Sequence, residues 1–98
     1  MGNNIERSVV LTATCVRALR TIQLSQRETL TLWHLVAIMP PAGNVISNAE
    51  LGRELEIDRA HITRAMQRLR ELGFLMRGAK VGISYHYKLN PAFFRIIS

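Results

Sequence analysis

Apolar side chains recur at intervals of three and four residues through much of this chain. Residues 4–22 carry a broad apolar stripe at this spacing, and residues 29–39 are apolar nearly all round. A period near 3.6 residues predicts amphipathic helices, and a helix that is apolar on every side is expected to be buried. The pattern therefore predicts an N-terminal helix over 4–22 and a central helix that holds Trp33 and His34 in the core.

Two Ser-x-x-Glu sequences indicate where helices begin. Ser25–Glu28 precedes the central helix, and Ser47–Glu50 precedes a short helix that ends near Glu56. In such a capping box the serine and glutamate side chains each accept a hydrogen bond from a backbone N–H that the helix leaves unpaired. The Pro-Pro-Ala-Gly-Asn run at 40–44 separates the two helices, because proline cannot continue a helix.

A further helix is predicted over 59–72, after a tight turn at Ile57 and Asp58. Asp58 is expected to be its N-cap, and Gly73 its C-terminal stop. The apolar positions of this helix fall on one side, and polar or small positions fall on the other. The apolar side consists of Ile62, Ala65, Met66, Leu69 and Leu72, and the other side of Ala60, His61, Thr63, Arg64, Gln67 and Arg68.

After Gly73 the spacing changes from helical to alternating. From Ile83 to Leu89 every second residue is apolar or aromatic, which predicts a strand with one buried and one solvent-facing side. Together with the run Phe74–Arg77 it predicts a β-hairpin over 74–89, with glycines 78 and 82 in its loop. Residues 90–98 predict a short turn or helix that packs back on the core or on a partner.

The charge of the chain is strongly basic and unevenly placed. The net charge is +6, and the isoelectric point is near 10.8. Residues 59–98 contain eight of the thirteen cations and only one of the seven acids, Glu71. Such a distribution favours a polyanionic partner, and nucleic acid or an anionic membrane surface are the first candidates.

Other function classes find little support in the sequence. Cys15 is the only cysteine, so an internal disulfide is impossible and a cytoplasmic location is expected. No stretch approaches the roughly 20 apolar residues of a membrane span. The three histidines and Cys15 show no metal-ligand spacing, and no catalytic set converges. We therefore expect no enzyme activity, metal, cofactor or membrane partner, and no small-molecule effector is evident.

The predicted order is helix, helix, short helix, tight turn, helix and hairpin, which is the layout of a winged helix-turn-helix. The stretch ELGRELEIDRAHITRAMQRLRELGFL, residues 50–75, resembles the MarR-type winged-helix regulators, and the likeness covers about residues 47–89. Glu56 departs from the pattern, because many relatives have Gly or Asn there. The resemblance implies one mainly α domain over 1–98 with a small β-hairpin (an α+β winged helix-turn-helix), in which 47–72 is the helix-turn-helix and 74–89 the wing.

A winged-helix fold places the polar side of helix 59–72 against double-stranded DNA. The alternative is an ordinary solvated helix face, but such faces usually mix in acids and this one has none before Glu71. On the first interpretation, one group of side chains reads base edges in the major groove and another group contacts phosphates or carries the wing. The base-reading group is His61, Thr63, Arg64 and Gln67; the phosphate and wing group is Arg59, Arg68, Arg77 and Lys80.

A recognition helix alone covers about half a turn of DNA, so we expect a homodimer on a palindromic operator, acting as a repressor. The apolar face of 4–22, helped by the tail 93–97, is the predicted dimer seam; both segments could instead wrap the core of one subunit. The tail YHYKLNPAFF, residues 85–94, is weakly similar to RepL-type plasmid replication proteins. The alternative function is therefore a plasmid or phage replication factor that binds repeats at an origin.

Overall fold

Four helices and five short strands make up residues 7–97, the residues that this computed structural model describes. The strands form two antiparallel sheets, one of order β1-β5 and one of order β2-β4-β3. In chain order the elements are β1 (Ser8–Leu11), α1 (Ala13–Thr21), α2 (Gln26–Ile38), β2 (Asn44–Ile46), α3 (Asn48–Leu55), α4 (Arg59–Glu71), β3 (Leu75–Val81), β4 (Ser84–Leu89) and β5 (Phe94–Ile97).

The core forms where α2 and α4 meet the base of the hairpin β3–β4. Leu32 and Leu35 of α2 are fully buried, as are Ile62 and Leu69 of α4 and Phe74. The apolar stripe of α4 therefore points inward along its whole length, and its polar side is left facing outward. Trp33 differs from the prediction, since it is 38% exposed and contacts Phe94 edge-on at the margin of this core.

The N-terminal segment differs from the predicted helix over 4–22. Residues 8–11 form strand β1, and the helix begins only after Thr12, whose side chain accepts a hydrogen bond from Cys15 N. The sequence Ser-Val-Val-Leu contains two β-branched valines, which favour a strand, and in the structure its residues are alternately exposed and half-buried. Residues 4–6 of the predicted helix lie outside the described residues.

The C-terminal segment, predicted as a turn or helix, contains a turn and then strand β5. This strand pairs with β1 so that Leu11 lies opposite Phe94 and Val9 opposite Ile96. Thr12 fixes the start of the pairing, because its hydroxyl donates to Ala92 O at 2.6 Å and its N–H donates to Phe93 O. The two ends of the described chain thus form one small sheet.

The helix-turn-helix is held by a very close turn between α3 and α4. Ile57 N donates to Gly52 O at 2.9 Å, and a Cβ on Gly52 would stand 2.6 Å from Ile57 O, so only glycine fits at this point of α3. Glu56 adopts a left-handed conformation with φ of 56°, where glycine or asparagine would be less strained. Asp58 is the N-cap of α4, as predicted, but its side chain makes no capping hydrogen bond; its carbonyl accepts from Ile62 N.

The wing differs from the predicted hairpin in its loop. Strand β3 continues to Val81, and only Gly82 and Ile83 form the turn, with Gly82 at φ of +63° as a two-residue hairpin turn with glycine first requires. Ile83 was expected on the buried side of β4, but it leaves the strand at the turn and is 94% exposed.

Candidate nucleic-acid interface

A groove of about 290 Å³ runs between α4, the start of α3 and the wing. One flank of α4 lines it with residues spaced four, four and three apart, which places them on successive turns of the helix. The start of α3 and the second wing strand close the opposite side. The lining includes Arg59, Thr63, Gln67 and Arg70 from α4, Asn48 from α3, and Arg77, Ser84 and Tyr85 from the wing.

The predicted base-reading side chains occupy different positions around α4. Arg64 and Gln67 are exposed, and helical geometry places them opposite the buried stripe. Thr63 is exposed on the flank that faces the wing, whereas His61 is half-buried on the opposite flank. Arg64 and Gln67 therefore extend furthest from the core, and His61 is the least accessible of the four.

The hydroxyl of Thr63 already has two partners within the protein. It donates to Arg59 O at 3.0 Å and accepts from Asn48 Nδ2 at 3.3 Å. The hydroxyl proton of Thr63 is thus donated within α4, and the methyl group of Thr63 remains available to contact a ligand. Such a methyl group suits an apolar contact, of the kind that a thymine methyl makes in the major groove.

Gln67 is oriented by the one acid on its helix. Gln67 Nε2 donates to Glu71 Oε2 at 3.2 Å, one turn further along α4. The amide keeps a second N–H and its carbonyl oxygen for other partners. This arrangement presents a donor and an acceptor side by side, which is the pair of groups that glutamine uses on adenine.

Arg68 lies on the far flank of α4 and is engaged by α2. Its Nε donates to Glu28 Oε1 at 3.1 Å, and its Nη2 lies 3.4 Å from Gln23 O. Glu28 is held in turn by the capping box of α2, where Ser25 N donates to the same oxygen at 2.9 Å. The side chain of Arg68 is still 45% exposed, but its guanidinium is part of the contact between α4 and α2.

The two predicted wing cations, Arg77 and Lys80, both lie on strand β3. Arg77 pairs with Tyr87 and Lys80 with Tyr85, so two residues of β3 oppose one residue of β4 between these pairs. Side chains three apart on a regular strand point to opposite faces, and a β-bulge of one extra residue reverses this. Both cations consequently lie near Tyr85, with Arg77 Cζ 4.3 Å and Lys80 Nζ 5.9 Å from its ring centre.

Several groove residues were missed by the sequence analysis. Arg70 is not among the predicted DNA contacts, yet it lines the groove. It follows Arg59 by eleven residues, about three helical turns, and this spacing could have identified it. The contribution of Asn48 and Tyr85 could not be read from spacing, because each comes from a different element.

No metal centre or membrane-spanning element is found among residues 7–97. No three His, Cys, Asp or Glu side chains converge there, and no helix is long and apolar enough to cross a membrane. Cys15 is fully buried, and burial raises the pKa of its thiol, which disfavours the thiolate form that binds metals. His34 Nε2 lies 3.1 Å from Glu54 Oε2, where α2 meets α3.

Comparison with known proteins establishes the fold. No protein-family model matches the chain, and no curated protein does. A crystal structure of ZitR from Lactococcus lactis, a zinc-responsive MarR family member, matches with a TM-score of 0.54 and 21% identity, covering 82% of this chain and 51% of that one. A ZitR structure in complex with DNA matches with a TM-score of 0.46 and 18% identity, covering 82% of this chain and 50% of that one.

The chain thus has the predicted fold, an α+β winged helix-turn-helix like that of a MarR family member. It spans about half the length of the ZitR chains that it matches. In this fold α3 and α4 are the helix-turn-helix, and β3 and β4 are the wing. The groove described above lies between these two parts.

Proposed function

We propose that this protein is a sequence-specific double-stranded-DNA-binding transcriptional regulator. The observation that carries the proposal is that α4 turns its polar side outward, with exposed Arg64 and Gln67 opposite its buried stripe and the groove arginines on the adjacent flank. The likeness of fold to a MarR family member supports the same class of function. An α-helix with such a side fits the major groove of B-DNA, and the wing then reaches the adjacent backbone.

Within this proposal the side chains divide between base reading and positioning. Arg64 contacts a guanine edge, Gln67 an adenine edge and Thr63 a thymine methyl, while His61 makes the most peripheral base contact. The remaining cations bind phosphates and set the register of the helix on DNA. This second group contains the predicted Arg59, Arg68, Arg77 and Lys80, and the geometry of the groove adds Arg70.

We further propose that the active form is a homodimer on a palindromic operator. The sheet β1–β5 supports a seam at the chain ends, because its outward side chains Val10 and Ile97 are 46% and 50% exposed. Two α4 helices related by a two-fold axis would read two half-sites one helical turn apart. Light scattering at tens of micromolar should give twice the 11.1 kDa of one chain, and a value of 11.1 kDa would contradict the dimer.

The dimer would act as a cytoplasmic repressor by covering a promoter. Selection of bound DNA from a random pool, followed by footprinting, tests this function. A regulator of this kind should return one palindrome with half-sites about 10 base pairs apart. Direct repeats from an origin would favour the replication factor, and a pool that shows no enrichment would contradict sequence-specific binding.

A further inference from the structure

The tip of the wing carries the most exposed large apolar side chain in the described part of the protein. Ile83 is 94% exposed, while the other exposed large apolar residues lie between 38% and 53%. A single exposed apolar residue is common on protein surfaces. Ile83 is distinguished by its position, because it stands at the end of a hairpin and on the rim of the groove lined by α4.

The turn holds Ile83 well away from the rest of the molecule. Apart from its two chain neighbours, no residue has an atom within 4 Å of the place where a Cβ on Gly82 would be, so this side of the turn is open. In strand β4, Tyr87 is the first buried residue after the turn, four residues beyond Ile83. At about 3.3 Å per residue, the tip extends roughly 13 Å beyond that layer.

The part of the wing behind this tip carries two cations, Arg77 and Lys80 of strand β3. Arg77 and Tyr85 line the groove, and the bulge in β3 brings Lys80 to the same Tyr85 ring as Arg77. An apolar tip with cations behind it is the arrangement with which minor-groove proteins bind DNA: the cations contact phosphates, and the apolar side chain enters between bases.

We propose that Ile83 is an apolar wedge that enters the minor groove beside the site read by α4 and partly unstacks one base step. This inference rests on the proposed function, since it requires α4 to bind the neighbouring major groove. The wedge bends the DNA towards the major groove, and pyrimidine–purine steps such as TA and CA yield most easily. The protein therefore selects a flexible step at a position where no side chain forms a hydrogen bond with a base.

The test compares Ile83→Ala with the wild-type protein on a selected duplex that carries 2-aminopurine at the wing step and a fluorophore pair at its ends. We expect the wild type to raise the 2-aminopurine fluorescence and to shorten the end-to-end distance, and Ile83→Ala to lose both effects. Affinity for this site should fall roughly ten- to a hundredfold, in keeping with loss of a buried isoleucine side chain. The salt dependence should stay unchanged, because no charge is removed.

Met76→Ala is the matched control, because Met76 is also exposed on the hairpin, at 46%, but does not line the groove. It should bend DNA like the wild type, and Ile83→Leu should do so too. The wedge would be overturned if Ile83→Ala bent and bound DNA as well as the wild type does. It would also be overturned if Met76→Ala lost as much bending and affinity as Ile83→Ala. Either result would leave DNA binding by α4 intact. Failure of the wild type to bind any duplex would overturn the proposed function and the wedge together.

Discussion

Arginines on the two flanks of α4 have different surroundings. On the flank that faces α2, Arg68 is paired with Glu28 at 3.1 Å and lies near Gln23 O. On the flank that faces the wing, Arg59 and Arg70 line the groove, and neither has an ion pair among the residues that the structure describes. The difference comes from the neighbouring element: among residues 7–97, Glu28 of α2 is the carboxylate that forms an ion pair with an arginine of this helix.

Arginine content alone therefore does not define a DNA-binding surface. An arginine without an internal partner gives up no contact within the protein when it binds a phosphate. Arg68 must in addition give up, or share, a contact that fixes α4 on α2. We therefore expect the wing-side arginines to contribute more to DNA affinity, and Arg68 to contribute more to the placement of the helix.

The largest expected effect is that of salt on the whole interface. Two halves of a dimer that neutralise about 6–10 phosphates should lose roughly 10³–10⁵ in affinity between 50 and 200 mM salt. The slope of log affinity against log salt, measured by fluorescence anisotropy, gives the number of contacts. A slope near zero would contradict binding through either flank.

Arg64→Ala should have the largest effect of any single substitution on sequence preference. Loss of a guanine contact should cost about 1–3 kcal/mol on the preferred site and leave random DNA almost unaffected. Lys80→Ala should instead weaken all sequences about equally, because a phosphate contact carries no sequence information. Competition assays with preferred and random duplexes separate the two effects.

Arg20→Ala is the control for Arg64→Ala, since Arg20 is exposed on α1 and does not line the groove. It removes the same charge and should leave preference among sequences unchanged. If Arg64→Ala behaved like Arg20→Ala, the assignment of the reading face would be wrong.

Arg70→Ala and Arg68→Ala compare the two flanks directly. Arg70→Ala should lower the salt slope by about 1 for each subunit, as loss of one phosphate contact requires. Arg68→Ala should lower the slope less and reduce the unfolding free energy by up to about 1 kcal/mol, since it breaks a partly exposed ion pair. Salt titrations and chemical denaturation of both variants measure these changes. If Arg70→Ala and Arg68→Ala lowered the salt slope equally, the two flanks of α4 would not differ in their contribution to DNA binding.

The smallest expected effect is that of Glu28→Gln, which releases Arg68 while Gln retains an oxygen for the capping box. Stability should fall by less than about 1 kcal/mol. DNA affinity should rise a few-fold more than in Glu54→Gln, a matched loss of one acid from α3 that leaves Arg68 paired. An identical rise in both variants would mean that only net charge had changed.

Periodicity predicted the helical part of this fold because the apolar stripe of α4 and the nearly continuous one of α2 are local signals. The pairing of β1 with β5 was missed because it joins segments about 80 residues apart. In addition, a segment as short as Ser8–Leu11 does not distinguish the helical period from the strand period. The outward placement of Arg64 and Gln67 followed from the same periodicity. The engagement of Arg68 by Glu28 and the bulge in β3 depend on tertiary neighbours, which no local pattern reports.

The most direct measurement of the central claim is an NMR titration of the labelled protein with its selected duplex. We expect the largest shifts on the outward side of α4, above all at Arg64 and Gln67, and a second group on the wing from Arg77 to Tyr85. Large shifts confined to the β1–β5 sheet, with α4 unchanged at saturation, would contradict the placement of this helix in a DNA groove.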